Sequence, residues 1–77
     1  MDRRALREAL HAARVSDDHY WIEGVHEPGP TPVDHLFLRG NEGGGWQVGA
    51  YERGASEVIA VHGDEATACA HLLALLT

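Results

Sequence analysis

The stretch EPGPTP, residues 27 to 32, sets the tightest local constraint on this chain. Its prolines fix φ and remove backbone donors, so neither a helix nor a central strand can pass through it. It separates a short front part from a longer back part. With 77 residues there is room for one domain around one core, so both parts must build the same core.

In the front part, MDRRALREALHAAR reads as a helix. Asp2 can cap its start, Leu6, Leu10 and Ala13 fall at i, i+4 and i+7, and the interspersed alanines are strong helix formers. Ser16, Asp17 and Asp18 break it, because their side chains compete for nearby backbone groups. HYWIEGV then has the aromatic and β-branched content of a strand, closed by Gly24. Behind the proline block, VDHLFLR, WQVGAYE and EVIAVH read as three further strands, separated by the turns NEGGG and RGAS. GDEATACAHLLALLT is a closing helix, with Ala66, Cys69, Ala70 and Leu73 as its apolar stripe and Asp64 and Glu65 in its first turn.

The expected fold is a single α+β domain over residues 1 to 77, a four-stranded antiparallel meander with the N- and C-terminal helices packed on one face. Antiparallel pairing is expected throughout because parallel neighbours need crossovers of a dozen or more residues. In that topology the first helix runs down into the first strand and the second helix runs up from the fourth.

Two helices on one face leave the other face of the sheet uncovered, and period-two alternation sorts the residues. Tyr20 and Ile22 share one side of the first strand, with His19, Trp21 and Glu23 on the other. Leu36 and Leu38 are taken as inward, which turns His35, Phe37 and Arg39 outward. In WQVGAYERG, Trp46, Val48 and Ala50 are inward structural positions, while Gln47, Tyr51 and Arg53 face out. The open face thus collects Trp21, Glu23, His35, Phe37, Arg39, Gln47, Tyr51 and Arg53. Aromatic and arginine side chains are what the centres of protein interfaces are enriched in, so this set is the expected partner-binding surface. Self-association through the same face, and a face with no binding role, are the alternatives. Glu52 is expected to point to the helix side and pair with Arg3, Arg4 or the first-helix N-terminus. Gly54 turns the chain, and Cys69 is expected to be an inert core thiol.

Twelve carboxylates stand against six arginines and no lysine, for a formal charge of -6. Such a balance lacks the phosphate-neutralising term that dominates binding to nucleic acid or anionic membrane, and it favours a basic protein partner or simply keeps the protein in solution. A lone cysteine and the lack of an apolar core of signal-peptide length in MDRRALREAL point to a reduced, cytoplasmic setting. The histidines lie at 11, 19, 26, 35, 62 and 71 with no metal-ligand spacing, although His19 and His35 could meet across neighbouring strands. No metal or other cofactor is expected. The serines lie in turns, NEGGGW lacks the helix and lysine of a phosphate loop, and no nucleophile and base are set beside one another, so no enzymatic activity is expected.

Several of these residues also form a recognisable pattern. Tyr20, Ile22 and Gly24 make a Tyr-x-aliphatic-x-Gly strand, LFLRG follows, and Trp46, Val48, Tyr51, Glu52, Arg53 and Gly54 form a Trp-x-Val strand ending in YERG. The last helix opens with DEATAC. Over roughly residues 20 to 76 the chain resembles the small bacterial immunity proteins that neutralise polymorphic secreted toxins. It departs from that pattern at Gly63, where the resemblance would place a serine, and at Val61 and His62, where it would place an aromatic. The resemblance implies a binding protein whose partner is a cognate toxin, with Trp46, Glu52, Arg53 and Gly54 matching as scaffold positions only.

Overall fold

The computed structural model describes all residues from Met1 to Thr77. The order along the chain is α1 (Arg3–Ala12), a single 3-10 turn (Asp17–His19), β1 (Tyr20–Ile22), β2 (His35–Gly40), β3 (Trp46–Glu52), β4 (Ala55–His62) and α2 (Glu65–Leu76). The class is α+β, and the strands lie side by side in chain order.

Each helix starts on an aspartate. The Asp2 side chain accepts the Ala5 N–H at 2.8 Å and Asp64 accepts that of Thr67 at 2.8 Å, each satisfying a donor that the first turn leaves free. The same Thr67 bonds hold the exposed Asp64 carboxyl below its usual value. α1 buries Leu6 and Leu10, while Ala13 lies beyond its end and is exposed. α2 buries Ala68, Cys69 and Leu72; of the expected stripe Cys69 is buried and Leu73 is half-buried against the core, while Ala66 and Ala70 are exposed. Its sequence is apolar on nearly every side, so spacing alone cannot choose the face that packing selects.

Both helices share one core with the inward side of the sheet: Leu6, Leu10, Tyr20, Ile22, Leu38, Val48, Ala68, Cys69 and Leu72 are fully buried together. Cross-strand register lines up Ile22, Leu38, Val48 and Ala60 as one inward row, with Tyr20, Leu36 and Ala50 in the next. Trp46 is half-buried against this core.

The meander is antiparallel from β2 to β4, but β1 and β2 run parallel, which corrects the all-antiparallel expectation. The connection from Glu23 to Asp34 is long enough for the crossover that a parallel pair requires. It turns back at once: Ile22 bridges His26, Gly24 takes a positive φ of 76°, and its N–H donates to Glu27 Oε2 at 2.6 Å. The His26 ring lies on Tyr20, and its Nε2 donates to the Asp17 carbonyl at 2.8 Å. The returning segment thereby covers the free edge of β1. The opposite edge, β4, has no such cover and exposes Val58, Ile59 and Val61.

The parallel pair reverses every later strand relative to α1. The Trp46 end of β3, not the Glu52 end, therefore lies beside the start of α1, with the Arg3 guanidinium 4.7 Å from the Trp46 ring centre. Both helices begin at that end. The backbone N–H and Nε of Arg3 both donate to Glu65 Oε2, at 2.9 and 3.0 Å, and Arg3 Nη1 reaches the Glu23 carbonyl at 2.6 Å. The acid expected at Glu52 is thus supplied by Glu65. Glu52 is exposed at the far end, bordering an open hollow with His19, Asp34, His35 and Leu76.

Candidate functional site: the helix-free face of the sheet

Register arranges the outer face as rows crossing the strands. The central row is Trp21, Phe37, Gly49 and Val58; His35, Tyr51 and Ser56 form the row on one side, and Arg39, Gln47 and Val61 the row on the other. Gly49 decides how the centre packs. A Cβ placed there would collide with the Phe37 ring and the Glu57 carbonyl, so the ring lies directly on the glycine backbone. A β-bulge next to Gly49 adjusts the pairing with β4.

Phe37 therefore keeps only 3% of its surface exposed, although no helix covers this side. The expectation that it is displayed is corrected: it faces outward but forms the floor of the face. Its lid is Arg39, whose guanidinium sits 4.3 Å from the ring centre in a cation–π contact worth about 0.5 to 1 kcal/mol. His35 is also buried, at 9% exposure. Its ring stacks on Tyr51 at 5.2 Å, and Nδ1 donates to the Pro32 carbonyl at 3.2 Å. A carbonyl only accepts, so Nδ1 carries a proton.

Trp21, His35, Phe37, Arg39 and Tyr51 together line one cleft of about 220 Å³, closed by Thr31 from the proline-rich crossover and Ser56 from β4. The other expected contact residues lie elsewhere or serve this site indirectly. Gln47 braces it: Arg39 Nε donates to Gln47 Oε1 at 2.6 Å, and Gln47 Nε2 donates to Asn41 Oδ1 at 2.8 Å. Glu23 ties strand ends together, its Oε2 accepting the Gly40 N–H at 3.1 Å. Arg53 is not a member of the outer row. It occupies the β3–β4 turn with φ 51°, followed by Gly54 at φ 80°, the pairing of positive φ values that a two-residue hairpin requires.

Arg39 also lacks a carboxylate. The ion pairs of the chain are Arg3 with Glu65 and Arg7 with Asp17, so the half-buried Arg39 fork is neutralised by neither side of the cleft. Its terminal nitrogens make no protein hydrogen bond, and no buried side-chain polar atom is left unpartnered, so those nitrogens are open to solvent.

Elsewhere, Cys69 is fully buried and its thiol is pushed up to about 11 by desolvation, with the Glu65 charge adding to the shift. The Tyr20 hydroxyl is raised too, chiefly by burial, against the opposing Arg7 charge. His62 and His71 meet across β4 and α2, with Nε2 and Nδ1 2.9 Å apart. That contact was invisible in the sequence, because it joins separate elements at no motif spacing. No group of three or more histidine, cysteine or acidic side chains is placed to hold a metal ion. No helix is long and apolar enough to cross a membrane.

No family model matches the chain, and no curated protein or solved structure is significantly similar to it.

Proposed function

We propose that the chain is an immunity protein: a cytoplasmic antitoxin, without enzymatic activity, that binds a cognate secreted toxin domain through the helix-free face of its sheet. The observation that carries this reading is the meeting of Trp21, His35, Tyr51 and an uncompensated Arg39 in one cleft. A face with no binding role has no reason to place its aromatic rings and half-buried guanidinium around one opening, whereas interface centres are enriched in these residues. The sequence pattern that resembles immunity proteins supports the same role. The net charge of -6 suits a basic toxin, which it would steer toward encounter.

Co-expression with the product of each neighbouring reading frame tests the proposal. A toxic neighbour should be neutralised and co-purify, and Trp21→Ala or Tyr51→Ala should weaken capture about tenfold or more, as truncation of an interface centre does. If no neighbour binds and the purified chain is a tight dimer, the reading fails.

A second reading rests on β4. Its open edge carries Val58, Ile59 and Val61 at 42%, 48% and 53% exposure, and edge strands with exposed apolar residues pair readily with another strand. Homodimerisation through this edge would replace dimerisation through the sheet face. Sedimentation of the pure chain and of Ile59→Lys separates the two, since only an edge-paired dimer should dissociate on that change.

A further inference from the structure

We propose that the outer cleft is a carboxylate-reading site, built to receive an acidic side chain of the partner protein while an adjoining apolar group packs against Trp21 and Tyr51. The inference rests on the partner-binding reading of this face and specifies what the partner must present.

The warrant is the state of Arg39. A surface arginine is ordinarily mobile, and ordering it costs rotamer entropy. Here the ordering is already done. The guanidinium carbon sits over Phe37, Nε is committed to Gln47 Oε1, and Gln47 is held in turn by Asn41, whose Nδ2 donates to the Gly44 carbonyl at 3.0 Å. The relay fixes the direction of the fork and leaves its two terminal nitrogens free, which is the geometry for end-on, bidentate binding of a planar two-oxygen anion. The chain holds twice as many carboxylates as arginines, yet none pairs with Arg39.

The chemistry of the remaining walls narrows the ligand. Trp21 and Tyr51 supply apolar area, and Thr31 and Ser56 supply hydroxyls. Arg39 is the only arginine or lysine lining the cleft, so a dianionic phosphate would be left half-neutralised, whereas a carboxylate is matched charge for charge. A small free anion would be repelled at long range by a protein of charge -6. A carboxylate carried on a partner whose wider surface is basic meets attraction at both ranges. The occupant is therefore an acidic residue beside an aromatic or aliphatic one, exposed on a protein.

The test uses the full chain, isotopically labelled, with three small probes: the blocked dipeptide acetyl-Phe-Glu-amide, its neutral isostere acetyl-Phe-Gln-amide, and phenyl phosphate. The glutamate peptide should give saturable shifts at the Trp21 indole N–H and Arg39 Nε–H, and should bind about tenfold more tightly than the glutamine peptide, the usual scale for a charge-assisted pair. Arg39→Lys, which keeps the charge and loses the fork, should reduce that preference to about twofold. Gln47→Ala, which unpins the fork without touching the ligand, should weaken the glutamate peptide a few-fold. Equal binding of acid and amide, an undiminished preference in Arg39→Lys, or tighter binding of phenyl phosphate would each overturn the proposal. A toxin captured by the wild type and by Arg39→Lys alike, but lost with Trp21→Ala, would sink the carboxylate inference and leave the partner reading standing. Acid-over-amide preference with no toxin partner would do the reverse.

Discussion

On one side of the sheet Ile22, Leu38 and Val48 are sealed by two helices, and on the other Phe37 is sealed by a glycine beneath it and an arginine above. Both centres are dry, but they are held differently. The helix side depends on the interlocked volume of a cluster of nine fully buried residues. The outer side is one ring thick. Its lid is a charged side chain that can exchange water for a partner without disturbing the core. A small domain needs most of its apolar residues for stability, and this arrangement sets aside a shallow second cluster whose outer wall stays open to solvent.

The largest test of that contrast is Leu38→Ala. Leu38 is fully exclusive of solvent in the helix-covered row, so truncation should cost about 3 kcal/mol through lost burial and a residual cavity, read from the midpoint of urea unfolding. A cost below about 1 kcal/mol would mean that the helix side is as adaptable as the outer side. Cys69 probes the same dry layer chemically. Burial raises its thiol from 9.0 to about 11, so at pH 8 its alkylation should be about a hundredfold slower in the native chain than in denaturant. The sign for stability follows: the folded form holds the proton more tightly, so this contribution is full below pH 9.0 and is lost as pH rises through about 11. Fast native alkylation at pH 8 would show that the helices do not seal the core.

On the outer side, Gly49→Ala should cost about 2 kcal/mol, an overpacking penalty, because the new methyl group occupies the position of the Phe37 ring. The ring would lift and carry Arg39 with it, so binding at the cleft should fall along with stability. Thermal unfolding and the peptide titration read the two effects on one sample. A neutral substitution would break the picture of a ring seated on backbone.

Alternation and local chemistry carried the sequence reading a long way. β3 has the expected limits, Asp2 caps α1, Cys69 is in the core, and, Arg53 apart, the outward and inward sets of β2 and β3 fall on the expected sides. Depth was not legible. Period two tells which face Phe37 is on, but its burial depends on Gly49 standing opposite, and that pairing is known only once the register is known. Strand direction was not legible either. Proline and glycine marked Glu27 to Pro32 as a loop without saying where the loop goes, and its return past His26 made β1 and β2 parallel. From that one reversal followed the replacement of Glu52 by Glu65 as the partner of Arg3, since α1 meets the other end of β3.

The smallest effect expected concerns the border of the outer face. Counting alternate residues beyond Tyr51 placed Arg53 among the outward contacts, yet the strand ends at Glu52 and Arg53 is a turn residue with φ 51°. A left-handed conformation disfavours a residue with a long side chain, and asparagine tolerates it better because its short polar side chain bonds locally. Arg53 forms no ion pair and no side-chain hydrogen bond that would offset this strain. Arg53→Asn should therefore raise stability by about 0.5 kcal/mol and leave affinity at the cleft unchanged, read by thermal unfolding and by the same peptide titration. A loss of affinity would extend the recognition surface past the end of β3 and return Arg53 to it. An unchanged affinity with higher stability would confine recognition to the rows that the cross-strand register defines, with Arg39 as their only arginine.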